Sequence, residues 1–141
     1  MAEGEHQTAQ RALREASEAG RAVANRWLVA LADYYLGQLA RRRGETRRAE
    51  ELHHKALALR ARWRLHPGIA DSLEALAALA AEHESFAGAT RLLSAAAALR
   101  RMSGVTRWPT DQADYEGVLT RARDSLDDFR HLVGRRRNAA R

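Results

Sequence analysis

The stretch ALADYYLGQLARRRGETRRAEELHHKALALR (Ala30–Arg60) decides the fold, because it recurs forty residues later as ADSLEALAALAAEHESFAGATRLLSAAAALR (Ala70–Arg100). Ten of the 31 aligned positions are identical without a gap. The identical pairs are Ala30/Ala70, Leu36/Leu76, Leu39/Leu79, Ala40/Ala80, Ala49/Ala89, Leu52/Leu92, Ala56/Ala96, Ala58/Ala98, Leu59/Leu99 and Arg60/Arg100. They recur at the steps of a helix face, so the period indicates stacked helical repeats.

The repeat pattern divides the chain into helices. Residues 6–20 form a half repeat, because Ala9 and Ala16 match Ala49 and Ala56 of the next one. Two helix pairs follow, at 22–65 and 68–103. Gly44 and Gly104 are predicted to end helices, and the break between the pairs is predicted at His66-Pro67-Gly68. We therefore expect an all-α domain of antiparallel helix pairs over residues 1–134.

A last amphipathic helix is predicted over residues 110–134, with Thr110 or Asp111 as its N-cap. Its apolar stripe, predicted to face the stack, is Tyr115, Val118, Leu119, Ala122, Leu126, Phe129 and Val133. The pattern is typical of a C-terminal capping helix, which covers the end of a helical stack. Residues 135–141 are predicted to be a disordered basic tail.

Composition excludes several classes of protein. There is no cysteine, so disulfides and thiolate-bound metals are absent. The N-terminus lacks the pattern of a secretory signal, and no apolar stretch reaches the length of a membrane span. No catalytic motif occurs, and the adjacent His53 and His54 point about 100° apart on a helix and are interpreted as surface or partly buried. We expect a cytoplasmic protein that is not an enzyme and has no cofactor.

Positive charge is concentrated in one part of the chain. The net charge is +6, and 23 of the 24 basic residues are arginine. Residues 1–20 carry −2, residues 21–66 carry +7, residues 67–106 carry −1 and residues 107–141 carry +2. A basic region of this kind suits an acidic partner or a nucleic acid. The excess of arginine and alanine is also what a GC-rich genome produces.

Several spacings resemble known proteins. The tetratricopeptide repeat has the spacing found at Leu36-Gly37, Gly44, Ala49 and Ala56, although Ala77 and Glu84 replace its glycines in the second pair. Residues 68–104 and 108–126 resemble the C-terminal region of actinobacterial LuxR/SARP-type signalling-ATPase transcriptional regulators. The resemblance implies a right-handed solenoid that senses or docks a partner. This chain has no Gly-x-x-x-x-Gly-Lys phosphate loop, so ATPase and DNA-binding activity are not implied.

A partner is predicted to bind the groove formed by the first helix of each pair. The residues predicted to line this groove are Trp27, Leu31, Tyr34, Gln38, Arg41 and Arg42 on one helix and Asp71, Glu74 and Glu82 on the next. Aromatic side chains beside arginine are typical of interfaces, and the opposite charges suit a protein or peptide of mixed charge. The alternative interpretation is that Trp27, Leu31 and Tyr34 pack against residues 6–19.

Two further surfaces are candidates. Arg43, Arg47 and Arg48, beside Arg41 and Arg42, form a possible anion patch that suits a nucleic acid as the alternative partner, although a solvated turn is the favoured interpretation of these arginines. Two and a half repeats are fewer than the roughly three that stacking needs, so the N-terminal end is expected to expose an apolar face. A homodimer, a bound partner or a truncated gene product would account for such a face. No membrane partner is expected.

Overall fold

The computed structural model describes the backbone of residues 2–139 and their side chains, except those of residues 129, 132 and 136–139. Within that range the chain is helical and contains no strand, which confirms the predicted all-α class. The helices are α1 (Glu3–Ala22), α2 (Arg26–Arg42), α3 (Thr46–Arg62), α4 (His66–Glu82), α5 (Phe86–Ser103) and α6 (Gln112–Ala139), with a 3₁₀ turn at Pro109–Asp111 before α6.

Four turns of the same geometry join α1 to α5 at intervals of 20 residues. The middle residue of each turn is left-handed, with φ of 54° at Ala24, 77° at Gly44, 54° at Arg64 and 59° at Glu84. The following N–H bonds to a carbonyl five residues earlier, as Glu45 does to Ala40 at 2.9 Å. This pattern is the Schellman motif. Only Gly44 carries the glycine expected at such a position, so the sequence predicted breaks between the helices but not the left-handed residues Ala24, Arg64 and Glu84.

The predicted break at His66-Pro67-Gly68 is wrong by three residues, because α3 ends at Arg62 and α4 begins at His66. Proline is compatible with the first turn of a helix, where its missing N–H has no intrahelical acceptor. Gly68 is required by packing, since a Cβ there would lie 2.5 Å from Nε of Arg60. The glycine therefore marks a close contact between α3 and α4, and the helix starts before it.

Consecutive helices pack in antiparallel pairs around a core built largely from alanine and leucine. One core cluster joins α2, α3 and α4 through Leu36, Ala40, Ala49, Leu52, Leu76 and Leu79. A second joins α4, α5 and α6 through Ala77, Ala78, Ala81, Ala89, Leu93 and Val118. Alanine at these contacts lets the helices approach closely, so the core consists of many shallow contacts.

The start of α6 packs against α4 and α5 and covers the end of the stack. Val118 and Ala122 of its predicted stripe are buried, whereas Tyr115, Leu119 and Val133 are half-buried and Leu126 is 48% exposed. The side chain of Phe129 lies outside the described residues. Among the described side chains of the stripe, the two that are fully buried therefore lie in the first half of the helix.

The prediction of a disordered tail from residue 135 needs correction, because α6 continues through Gly134 to Ala139. One glycine costs a helix only about 1 kcal/mol, and the arginines and alanine around it favour helix. Residues 140 and 141 lie outside the described part. Among residues 2–139, no helix combines the length and the apolar character that crossing a membrane requires.

Candidate functional site: a closed groove and an open cleft

A buried ionic cluster lies in the middle of the predicted groove. Glu74 of α4 accepts hydrogen bonds from Arg107 at 2.6 and 2.7 Å and from Arg100 at 3.0 and 3.1 Å. Arg100 also donates to Asp71 at 2.8 Å. The guanidinium of Arg107 lies 3.3 Å from the centre of the Tyr115 ring. The cluster ties the segment before α6 and the first turns of α6 to α4.

Burial and hydrogen bonding act in opposite directions on Glu74. Burial alone would raise the pKa of its carboxyl, but hydrogen bonds from Arg107 and Arg100 outweigh burial and hold the pKa below its ordinary value. The carboxylate is therefore ionised at neutral pH and fully engaged with two arginines of the same chain. It is not available to bind a partner in this conformation.

A second set of contacts joins α6 to α2 across the groove. The hydroxyl of Tyr34 donates to Asp111 at 3.2 Å, and Arg41 bridges Glu82 at 2.6 Å and Asp114 at 3.3 Å. Burial, together with the nearby carboxylates of Asp111 and Asp71, raises the pKa of Tyr34, so its hydroxyl stays protonated and acts as the donor. Asp111, predicted as a helix cap, instead accepts this bond from α2.

The structure therefore brings most of the predicted groove residues together, but around the chain's own residues 107–118. Tyr34, Asp71 and Glu74 are buried, Gln38, Arg41 and Glu82 contact or border the same segment, and the remaining cavity measures about 20 Å³. A cavity of that volume holds about one water molecule. Partner binding in this groove stays a prediction.

The predicted groove residues near the two ends of α2 lie apart from the ionic cluster. Trp27 is 59% exposed and Leu31 is half-buried, while Arg42 is exposed at the other end of the helix. The alternative that Tyr34 packs against residues 6–19 is wrong, because its ring packs with Ala56 of α3 and Ala75 of α4. Trp27 and Tyr34 lie two helical turns apart on the same side of α2, but Trp27 is exposed and Tyr34 is buried.

His53 lies in the core and not at the surface, which corrects its interpretation. Its ring is fully buried beneath Gly37, where a Cβ would approach Nε2 to 2.7 Å, and makes an edge contact with Tyr34 at 5.3 Å. Burial, with help from the charges of Arg60 and Arg41, lowers the pKa of His53 to about 4. The imidazole is therefore neutral and structural. His54 is exposed, as expected.

The turn between α2 and α3 carries the predicted anion patch. Arg43 is paired with Glu3 at 2.9 Å and with Glu45 at 3.6 Å. Among the described residues, no ion pair involves Arg42, Arg47 or Arg48, and all three are exposed. The patch is a real positive surface at one end of α2, and Glu45 within it reduces its charge.

An open cleft of about 450 Å³ lies between α1 and α2, and of its lining residues only Gln38 and Arg42 were predicted to bind a partner. We call it the α1/α2 cleft. Its walls are mostly apolar and consist of Ala9, Ala12 and Leu13 of α1, Tyr35, Gln38, Leu39 and Arg42 of α2, and Thr110 and Asp111 at one edge. The apolar surface expected at the N-terminal end corresponds to this cleft.

Repeat symmetry relates the α1/α2 cleft to positions that are filled in the later repeats. The positions forty residues later, among them Ala49, Leu52 and Leu79, are covered by Leu36 and Ala40 of α2. The positions eighty residues later, among them Ala89, Leu93 and Val118, are covered by Ala77 and Ala81 of α4. In each later repeat a helix therefore lies where the first repeat leaves a cleft. In the sequence, this opening was indicated by the half repeat at residues 6–20, which lacks the first helix of its pair.

Exposure at equivalent positions supports the same conclusion. Ala49 and Ala89 are completely buried, and Ala9, their equivalent on α1, is only half-buried. The other side of α1 is polar and carries Gln7, Arg11, Arg14, Glu15 and Glu18. The cleft is thus an open, mostly apolar surface between two helices, at a position that a helix occupies in the later repeats.

The described residues contain no cluster of histidine, aspartate or glutamate arranged to hold a metal ion. The buried carboxylates Asp71 and Glu74 are neutralised by arginines, as described above. The chemistry of the two surfaces is therefore that of ion pairing in the groove and apolar contact in the cleft.

Comparison with known proteins identifies relatives of one part of the chain. It is 36% identical over 104 residues to Putative HTH-type transcriptional regulator Rv0890c of Mycobacterium tuberculosis, and equally to Mb0914c of Mycobacterium bovis. The match covers 74% of this chain and 12% of each relative, so the chain corresponds to about an eighth of their length. No family model matches the chain, and no solved structure matches it.

Proposed function

We propose that this chain is a non-catalytic, protein-binding helical-repeat module, of the tetratricopeptide type, that serves transcriptional regulation and signalling. The observation that carries the proposal is the α1/α2 cleft, which is open in the first repeat and is filled by a helix at both equivalent positions. Homology to a segment of proteins named as transcriptional regulators supports the regulatory context.

The cleft suits an amphipathic helix better than an extended peptide. Its walls are two helices, its floor is alanine and leucine, and Arg42 at one rim offers a charge to an acidic flank. Binding energy would come from apolar contact, since each square ångström of buried apolar surface contributes roughly 25 cal/mol. A helix in this position restores the contacts that α2 and α4 make in the later repeats.

Nucleic acid is the alternative partner, through Arg42, Arg47 and Arg48. Three glutamates at positions 45, 50 and 51 lie among these arginines and lower the local potential. Phosphate binding through a few arginines would weaken steeply with added salt, whereas apolar docking would not. The two functions are therefore separable by where a partner binds and by how salt affects it.

Site-specific photo-crosslinking tests the proposal. A benzophenone amino acid replaces Ala12, an exposed residue at the cleft, and in a control replaces Gln7, an exposed residue on the polar side of α1. We expect crosslinks from position 12 to protein in the cells that make the chain, persisting at moderate salt, and few from position 7. Crosslinks equal at both positions, or to nucleic acid alone, would overturn the proposal.

A further inference from the structure

All three tryptophans of the chain lie at one edge of the helix stack. Because consecutive helices run antiparallel, the turn from α1 to α2, the turn from α3 to α4 and the segment between α5 and α6 meet at this edge. We call it the tryptophan edge and define it as residues 21–28, 61–68 and 101–108, which are equivalent at the forty-residue period. Each of the three segments contains one tryptophan, and these are Trp27, Trp63 and Trp108.

Contacts show that the three segments adjoin one another. The guanidinium of Arg26 lies 3.6 Å from the centre of the Trp63 ring, which joins the first segment to the second. Arg100, next to the third segment, donates to Asp71 in the first turns of α4 at 2.8 Å. Arg107 of the third segment donates to Glu74 of the same helix at 2.6 Å. The edge is therefore one continuous surface.

Exposed apolar side chains are concentrated on the tryptophan edge. Six large apolar side chains are exposed in the described part of the chain, and the three tryptophans, Val23 and Met102 are five of them. Val23 is 73% exposed and Met102 is 84% exposed. The turns of the opposite edge, at residues 43–45 and 83–85, contain no large apolar residue. An apolar cluster of this kind, which the described chain leaves uncovered, is typical of an interaction surface.

The same edge carries positive charge and no negative charge. Its 24 residues include six arginines and neither aspartate nor glutamate. Arg107 is paired with Glu74, but no ion pair among the described residues involves the other five, which are all exposed. These five are Arg21, Arg26, Arg62, Arg64 and Arg101. The edge is thus complementary to a partner that presents both carboxylates and apolar side chains.

From these observations we propose that the tryptophan edge binds a protein segment in which acidic residues alternate with large apolar ones. Carboxylates of the segment pair with the exposed arginines, and its apolar side chains cover the tryptophans, Val23 and Met102. The inference goes beyond the proposed function, because none of the residues that line the α1/α2 cleft belongs to this edge. The chain would then have two separate binding surfaces.

The contacts favour a protein segment over a single-stranded nucleic acid. Stacking of a base needs an open aromatic face, and one face of Trp63 is covered by Arg26. Val23 and Met102, the most exposed apolar side chains of the edge, offer no ring to a base. A lipid surface is a poorer match as well, because the elements that insert into it gather their apolar side chains on one face, whereas arginines interrupt them in every segment here.

Intrinsic tryptophan fluorescence reports on this edge alone, since every tryptophan of the chain lies there. The probes are three synthetic peptides of equal length: one alternates aspartate with leucine, one has serine in place of leucine, and one has lysine in place of aspartate. At physiological salt, we expect the aspartate-leucine peptide to shift the emission to shorter wavelength in a saturable manner. The other two peptides should bind at least about tenfold more weakly.

Two double variants with the same change of charge locate the binding. Arg62→Glu with Arg64→Glu reverses charge on the edge and copies Glu82 and Glu84, the equivalent residues of the next turn, where a glutamate already adopts the left-handed conformation. Arg47→Glu with Arg48→Glu is the matched control, at exposed arginines near the other end of α3. The first should bind the aspartate-leucine peptide at least about tenfold more weakly. The control should bind nearly as the native chain does, because salt screens charges over about 8 Å.

A third variant tests the apolar contribution without changing charge. Met102→Gln replaces an exposed side chain by one of similar helix propensity and should also weaken binding of the aspartate-leucine peptide. No saturable shift, equal affinity for the serine peptide, or equal loss in both double variants overturns the inference. So does a stronger response to oligothymidylate, or to vesicles of equal parts phosphatidylcholine and phosphatidylserine. Crosslinking from position 12 reports on the α1/α2 cleft, so the proposed function is judged separately.

Discussion

His53 shows how one residue departs from the repeat that surrounds it. Leu93 and Leu13 occupy the equivalent positions on α5 and α1. Among the described residues, neither ring nitrogen of His53 has a hydrogen-bond partner, and burial lowers its pKa to about 4. The folded chain therefore keeps a neutral imidazole at a pH where the unfolded chain, with a pKa near 6.5, takes up a proton.

The free energy of unfolding should consequently fall as pH drops from about 6.5 to about 4. The unfolded state binds more protons over that interval, and the loss from this residue approaches about 3 kcal/mol. We expect His53→Leu, which copies Leu93, to remove this part of the pH dependence. Urea denaturation at several pH values between 5 and 7.5 measures it.

His54→Leu is the control for that comparison, because His54 is exposed on the same helix. It should retain the pH dependence of the native chain. An identical slope in His53→Leu and in the native chain would show that the buried imidazole is not the group responsible.

At this scale the sequence predicted the apolar core positions well and the buried polar ones poorly. Arg60 and Arg100 matched in the repeat alignment, and both lie against α4: Arg60 donates to Ser72 at 2.8 Å, and Arg100 donates to Glu74 and Asp71. The sequence pattern does not indicate which of the 23 arginines are buried, because burial of a guanidinium depends on the carboxylates or glycines that face it.

Helix α6 depends on a few ionic contacts for its position. The linker at residues 104–108 has no helix of its own, and Arg107 joins it to Glu74, Gln112 and the ring of Tyr115. Apolar contact from Val118 and Ala122 supplies the rest. The element should therefore loosen locally when Arg107 is replaced.

We expect Arg107→Met to increase amide hydrogen exchange in residues 104–118 while leaving α2 and α3 unchanged, because the substitution removes both ion pairing and ring contact. Arg101→Met is the control, since Arg101 is exposed near the end of α5. Mass spectrometry of peptic fragments measures the exchange. Unchanged exchange in that segment would show that the ionic cluster does not hold α6.

Element boundaries illustrate what periodicity can and cannot predict. The helix faces were predicted because apolar residues recur in register, but three of the four repeat turns place a non-glycine residue in the left-handed region. The path of α6 was not predictable either, since it depends on contacts of Asp111 and Asp114 with α2, more than seventy residues away.

For the whole molecule, repeat symmetry relates the fold to the candidate site. The same arrangement of alanine and leucine is closed by α2 in one repeat and by α4 in the next, and it is open at α1. The sequence predicted an uncovered N-terminal end, and only the structure placed the predicted groove around residues 107–118 and the opening between α1 and α2.

Amide hydrogen exchange of the chain, alone and with the protein that crosslinks at position 12, tests this account most directly. We predict that residues 5–20 of α1 and the C-terminal half of α2 gain protection together on binding, while α3 and α5 do not change. Exchange in α1 and α2 that is independent of the partner, or protection confined to α3 and α5, would contradict it.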